Sequence, residues 1–212
     1  MLPFIFIVLS VGVAAVVMYT SQSPRASAAI FLWVTLTALA AWAGWLRDFS
    51  SLPPAAPLLF AFGFIVAAVL GCSRFAEPLV RLSTSFLVGV QAFRILVELC
   101  IHRAVVEGIA PPQLTWSGLN FDIVTGVTAF LLFPFASRLP RGLLLLWNTL
   151  GLGLVTWVVV VAAISFPTRF QVLQPPNTWL AEFPYVWLPT VHVTAAILFH
   201  AALYRKLYRS EK

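Results

Sequence analysis

Residues 91–102 read QAFRILVELCIH, and Gln91, Arg94, Glu98 and His102 stand there inside an otherwise hydrophobic run. On a helix turning about 100° per residue, steps of three, four and four put these four side chains in one stripe. An isolated Arg or Glu facing lipid is costly even on the gentler insertion scales. The stripe must therefore face other helices or water, and the segment reads as a membrane span with a polar seam.

The rest of the chain supports that reading. Its 212 residues are 61% hydrophobic and only 9% charged, with 18 Phe and 8 Trp, and the mean hydropathy is +0.96. A soluble fold of this size cannot bury so much apolar surface. A helix needs about 20 apolar residues to cross the hydrocarbon core. Seven runs qualify: 2–20, 27–46, 54–71, 79–102, 121–137, 142–166 and 183–204. Short polar or proline-bearing joints such as RDFSSLPP, CSRFAEP and RLPR separate them, as expected where backbone must meet water. The expected fold class is all-α, a single polytopic domain over 1–212 forming a seven-transmembrane-helix bundle. The first run followed by Ala26-Ser27-Ala28 resembles a signal peptide, but it has no basic n-region and is long for an h-region, so an uncleaved span is expected.

Arg and Lys in the joints set the orientation. With the amino terminus outside and the carboxyl terminus cytoplasmic, the inside holds Arg25, Arg74, Arg81, Arg138, Arg141, Arg205, Lys206, Arg209 and Lys212, against Arg47, Arg103 and Arg169 outside. If the polar fourth segment did not cross, Arg25, Arg74 and Arg81 would move outside and only Arg47 would move in. The net charge of +6 arises from basic residues scattered along the chain and gathered only in YRKLYRSEK at the end. That pattern orients a membrane protein and offers no basic face for nucleic acid. Cys72 and Cys100 show no CxxC or Cys/His metal spacing and lie at opposite predicted surfaces, so no disulfide is expected. Trp116, Trp179, Tyr185 and Trp187 fall near predicted outer interfaces, where rings with a polar edge anchor a bundle.

Two further segments bring polar residues to the depth of the seam. The fifth span opens with SGLNFDIVTG, placing Asn120 and Asp122 in its first turn, and the seventh carries His192. Gln91, Arg94, Glu98, His102, Asn120, Asp122 and His192 are accordingly the candidate ligand-binding residues of an outward-facing polar pocket. Each also has a structural reading. Arg94 and Glu98 are one turn apart and can pair, Asn120 and Asp122 can cap a helix, and His192 can bond a neighbouring helix. The inner half offers only Asn148 and His200, which favours a one-sided pocket over a channel. The expected function is binding of a small polar or anionic ligand for transport or sensing, with Arg94 as the anion contact and Glu98 holding it. The alternatives are an intramembrane enzyme, possibly metal-dependent through His102, His192, Asp122 and Glu98, or a membrane assembly partner. No nucleophile motif, phosphate loop or cofactor fingerprint stands in the chain, so no catalytic residue, metal site or cofactor is assigned. The partners expected are the lipid bilayer and a small polar ligand.

Several seven-helix families are excluded by particular residues. Microbial rhodopsins need a retinal lysine in the last helix, and the only lysines here are Lys206 and Lys212. The zinc hydrolases of the ceramidase group use a His-x-x-x-His pair, whereas His192 and His200 are eight apart. The stretches FRILVE (93–98), QLTWSGLNFDIVTG (113–126) and NTWLAEFPYVWLP (177–189) resemble a group of small bacterial polytopic membrane proteins whose motifs carry no assigned chemistry. That resemblance covers roughly residues 91–200 and implies a location in the bacterial inner membrane.

Overall fold

The computed structural model describes residues 1–209, and within them the regular structure is entirely helical. Five helices are long and apolar enough to cross a membrane. These are α1 (Leu2–Ser21), α2 (Pro24–Trp42), α3 (Ala55–Cys72), the continuous helix Thr84–Val106 and α8 (Arg141–Ala163). The continuous helix comprises α5 (Thr84–Gly89), a tighter 3₁₀ turn at Val90–Ala92 and α6 (Phe93–Val106). Their outward faces carry Phe62, Ile65, Val69, Leu146 and Leu150, all exposed. Contiguous apolar surface on this scale is what a bilayer solvates and water does not.

Three of the expected spans are interrupted or reshaped. The fourth predicted span splits, because residues Glu77–Arg81 form a separate short helix, α4, and the long helix starts afresh at Thr84. Ser83 makes that start, its hydroxyl accepting the Phe86 backbone N–H at 3.1 Å, as an N-cap does. In the fifth, only Ile123–Leu132 (α7) is α-helical. Phe133 caps it with helical backbone angles, and Pro134 comes next with no N–H to carry the ladder on, so the chain turns there and then makes a 3₁₀ turn at Ala136–Arg138. The seventh begins with a π-helical turn at Leu188–Val193 that leads into α9 (Thr194–Arg209). Pro189 has no N–H to give the preceding turn, and wide turns of this kind relieve such gaps. The Thr190 carbonyl inside it accepts the Trp33 indole N–H at 2.9 Å, so α2 clamps the turn from outside.

α9 lies at the centre of the bundle. Its Ala195, Phe199, His200, Ala202 and Leu203 are buried, with α3 and α8 packed against it and α1, α4 and α5 completing the ring. Trp179, Tyr185 and Trp187 are buried inside the protein, and the Trp187 indole donates to the Val34 carbonyl at 3.0 Å. They pack the bundle rather than anchor it at an interface, because the loop carrying them folds back over the helices. Gln113 fixes that loop, its amide donating to the Ser165 hydroxyl at 3.2 Å and the Pro175 carbonyl at 2.7 Å. Both cysteines are free thiols, Cys100 buried and Cys72 exposed.

The far end of α9 is tied to α4 by charge. Arg209 Nη1 sits 2.6 Å from Glu77 Oε1, Arg205 Nη2 3.6 Å from Oε2, and Arg81 Nε 3.9 Å from Oε1. Arg205 also donates to the Ser73 carbonyl, and Lys206 to the Val80 carbonyl at 3.2 Å. The hydrogen bond from Arg209 is the main cause that holds the Glu77 carboxyl below its ordinary value of 4.5. A carboxyl depressed on folding stabilises fully above its unfolded value, and that contribution is lost as pH falls through the folded one. The melting-temperature difference between wild type and Glu77→Gln should therefore be constant above about pH 5 and close as the buffer is taken further below the ordinary value. A difference that persists unchanged in acid would show that the ion cluster does not tie these ends.

Candidate intramembrane pocket

The seam of the long helix does face inward: Gln91, Arg94 and Glu98 are buried and His102 is half-buried. The partner of Arg94 is not the glutamate one turn along. Asp122, at the head of α7, takes the guanidinium in a two-pronged pair, Nε to Oδ2 at 2.7 Å and Nη2 to Oδ1 at 2.5 Å. This geometry matches the planar fork of arginine to both carboxylate oxygens. Asp122 reaches it because α7 lies unusually close to α6. A methyl placed on Gly126 would fall 2.9 Å from the Ile95 backbone nitrogen and 3.3 Å from Arg94 Cβ, so only a glycine allows this approach.

The remaining edge of the guanidinium extends the network where none was expected. Arg94 Nη1 donates to His200 Nε2 at 3.1 Å. His200 must then carry its proton on Nδ1, which donates to Asn148 Oδ1 at 2.7 Å, while Asn148 Nδ2 donates to the His200 carbonyl at 3.0 Å. Two residues expected in a separate, deeper layer thus belong to the same buried chain of bonds. Gly151 makes room for it: a methyl there would sit 2.7 Å from His200 Cε1 and 2.8 Å from Thr125 Cγ2.

Glu98 is held instead by Asn120, whose amide donates to Oε1 at 2.5 Å and to the Leu114 carbonyl at 2.9 Å. The Asn120 side-chain oxygen accepts the Asp122 backbone N–H at 2.9 Å, so one asparagine orients both acids. His192 is fixed from α1. The Ser10 hydroxyl gives its single proton to the Phe6 carbonyl at 2.8 Å and lies 2.9 Å from His192 Nε2. With that proton on the Phe6 carbonyl, the hydroxyl oxygen accepts from His192 Nε2–H, the tautomer in which Nδ1 is an acceptor. Phe6 and Phe93 pack against the ring at centroid distances of 5.4 and 5.9 Å.

Arg94, Glu98, Asn120, Asp122 and His192 line one cavity of about 170 Å³. Its other walls are apolar, among them Phe60 and Phe64 of α3 and Val155 and Val159 of α8. Two candidates lie outside it. Gln91 donates to the Ala196 carbonyl at 3.2 Å and ties the long helix to α9. His102 stacks on Trp116, with ring centroids 4.2 Å apart and planes at 16°, and lies 3.4 Å from the Thr115 hydroxyl. No group of three or more His, Cys, Asp or Glu side chains among the described residues could hold a metal ion. Ser10, Asn148 and His200 are not among the candidates from sequence. The only sequence signal for them is a polar side chain within an apolar run, which says nothing of the helix it meets.

Several buried polar atoms of the cavity wall keep no hydrogen-bond partner, Arg94 Nη2 among them although it lies in ionic contact with Asp122 Oδ1. Glu98 Oε2 and His192 Nδ1 are buried with no hydrogen-bond partner, and the Arg94 charge is opposed by Asp122. Glu98 thus carries the acidic function not already matched by a close cation. Comparison with protein-family models, curated proteins and solved structures finds no match to this chain.

Proposed function

We propose that this is a seven-pass protein of the bacterial inner membrane, amino terminus outside and carboxyl terminus cytoplasmic, that binds a small polar ligand within the bilayer for transport or sensing. The five long helices supply five passes. The π turn with α9 rises about 33 Å, close to the hydrocarbon thickness of about 30 Å, and α7 with the turns after it supplies the remaining pass. The observation that carries the ligand reading is the convergence of Arg94, Glu98, Asn120, Asp122 and His192 on one cavity that leaves buried polar atoms unmatched, Glu98 Oε2 and His192 Nδ1 among them. A polar seam that served packing alone would satisfy its own hydrogen bonds. The guanidinium is already engaged by Asp122 and His200, so a polar ligand suits the pocket better than an anion.

Val159→Trp tests this, since it adds bulk to the cavity from its apolar α8 wall and replaces none of the polar side chains. Detergent-purified protein is screened by thermal unfolding against neutral, cationic and anionic small molecules. At one hundred times its Kd a ligand adds about 2.7 kcal/mol, so wild type should melt several degrees higher with a matching compound and Val159→Trp should not. Finding no stabilising compound, or shifts that survive in Val159→Trp, would remove the reading.

A further inference from the structure

The pocket has a second feature besides its polar end. α3 and α8 flank a cleft whose floor is α9, and a groove of about 530 Å³ lies along it. Phe64 borders both this groove and the polar cavity. Ala61, Ile65 and Ala68 of α3 and Thr156 of α8 are exposed along its rim. This rim lies within two of the helices apolar enough to cross a membrane, so along it the cleft faces acyl chains, while Arg205 and Tyr208 line its far end. An occupant reaching the cavity along this cleft would enter sideways from the bilayer, with an apolar body.

Its head group is set by the atoms left over. Glu98 Oε2, as a carboxylate oxygen, and His192 Nδ1 stand in the cavity as acceptors without partners, while Arg94 donates through Nε to Asp122 and Nη1 to His200 and its Nη2 lies against Asp122 Oδ1. A carboxylate or phosphate head would meet acceptors and the Glu98 charge. An alcohol has one proton for two acceptors. A primary ammonium has three N–H donors and the positive charge that complements a Glu98 carboxylate. We propose that the pocket takes an amphiphile with a primary amine head, its ammonium donating to Glu98 Oε2 and His192 Nδ1 and its chain lying in the α3–α8 cleft. This rests on the polar-ligand function proposed for the cavity and specifies its chemical class.

Three photoactivatable probes with the same twelve-carbon diazirine chain and amine, alcohol or carboxylate heads test it in detergent-purified full-length protein. The amine should label α3, α6 and α8 at least tenfold more than the carboxylate. Val159→Trp should abolish that labelling, and Glu98→Gln should reduce it at least tenfold by replacing an acceptor with an amide. Glu107→Gln, at an exposed carboxyl paired with Arg103, should leave it unchanged. Equal labelling by all three heads that still vanishes in Val159→Trp would overturn the amine and leave the pocket standing. No labelling of these helices by any probe would mean that the cavity holds water only, and both readings would fall. Where Glu98→Gln does not yield folded protein, the head-group ratio in wild type decides.

Discussion

Arg94→Ala should lower stability by about 3–5 kcal/mol, because it leaves Asp122 as an uncompensated buried charge. The side chains concerned are 2% and 11% exposed, so solvent offers little relief. The loss extends past the carboxylate. His200 Nε2 would lose the donor at 3.1 Å, leaving a buried acceptor unmet at a further cost of about 1–3 kcal/mol. Arg94→Lys keeps the charge but replaces a fork by a point, and should fall between alanine and wild type. The decisive variant is the double replacement Arg94→Met with Asp122→Leu. Removing both charges removes the desolvation problem with them, so it should return to within about 1–3 kcal/mol of wild type, the residue of the loss being the His200 contact. Reversible unfolding from mild detergent into dodecyl sulfate, monitored by tryptophan fluorescence, gives these differences. Single variants as stable as wild type would show the pair to be idle. Since Arg94 underpins the fold, the pocket itself is better probed from its apolar wall.

Gly126→Ala should cost about 1–3 kcal/mol, the usual penalty of forcing a methyl into a filled site. The obstruction includes backbone: the added carbon would lie 2.9 Å from both the Ile95 nitrogen and its Cγ1, and a backbone atom in a helix cannot step aside as a side-chain tip can. α7 would have to move off α6, which also draws Asp122 away from Arg94. Small residues at such crossings are what lets membrane helices pack closely. Gly153→Ala is the control. Nothing lies within 4 Å of the carbon it adds, so the same change in the same assay should bring no loss. Equal behaviour of the two glycines would show that the α6–α7 approach is not what the glycine is for.

Much of the architecture could be read from hydrophobic run length alone, because lipid solvates apolar helices of a fixed minimum length. The long helices fall where apolar runs do, from Leu2 to Ser21 through to Arg141 to Ala163. The errors lie where a single residue overrides the run. Ser83 restarts a helix by accepting a backbone proton, Pro134 stops one, and Pro189 widens one, and none of these alters hydropathy much. The inward seam was legible for a similar reason, since an Arg and a Glu have few places to go in oil. Partner choice was not. Glu98 is nearer to Arg94 in sequence than Asp122, but the rotation of α6 and the glycine contact with α7 decide the pairing. The role of Ser10 required knowing that the first helix meets the last, a contact 182 residues apart.

The wide turn at Leu188–Val193 gives the two histidines of the last helical segment independent aims. A uniform helix locks every side chain to a single rotational phase. Here the π turn interrupts that phase, so His192 answers to α1 while His200 answers to the long helix and α8. Two imidazoles on one strand of chain thereby serve separate neighbourhoods, one exposing a lone pair to the cavity and the other closing the buried ion pair. Any change in the length of that turn would re-point the first without disturbing the second.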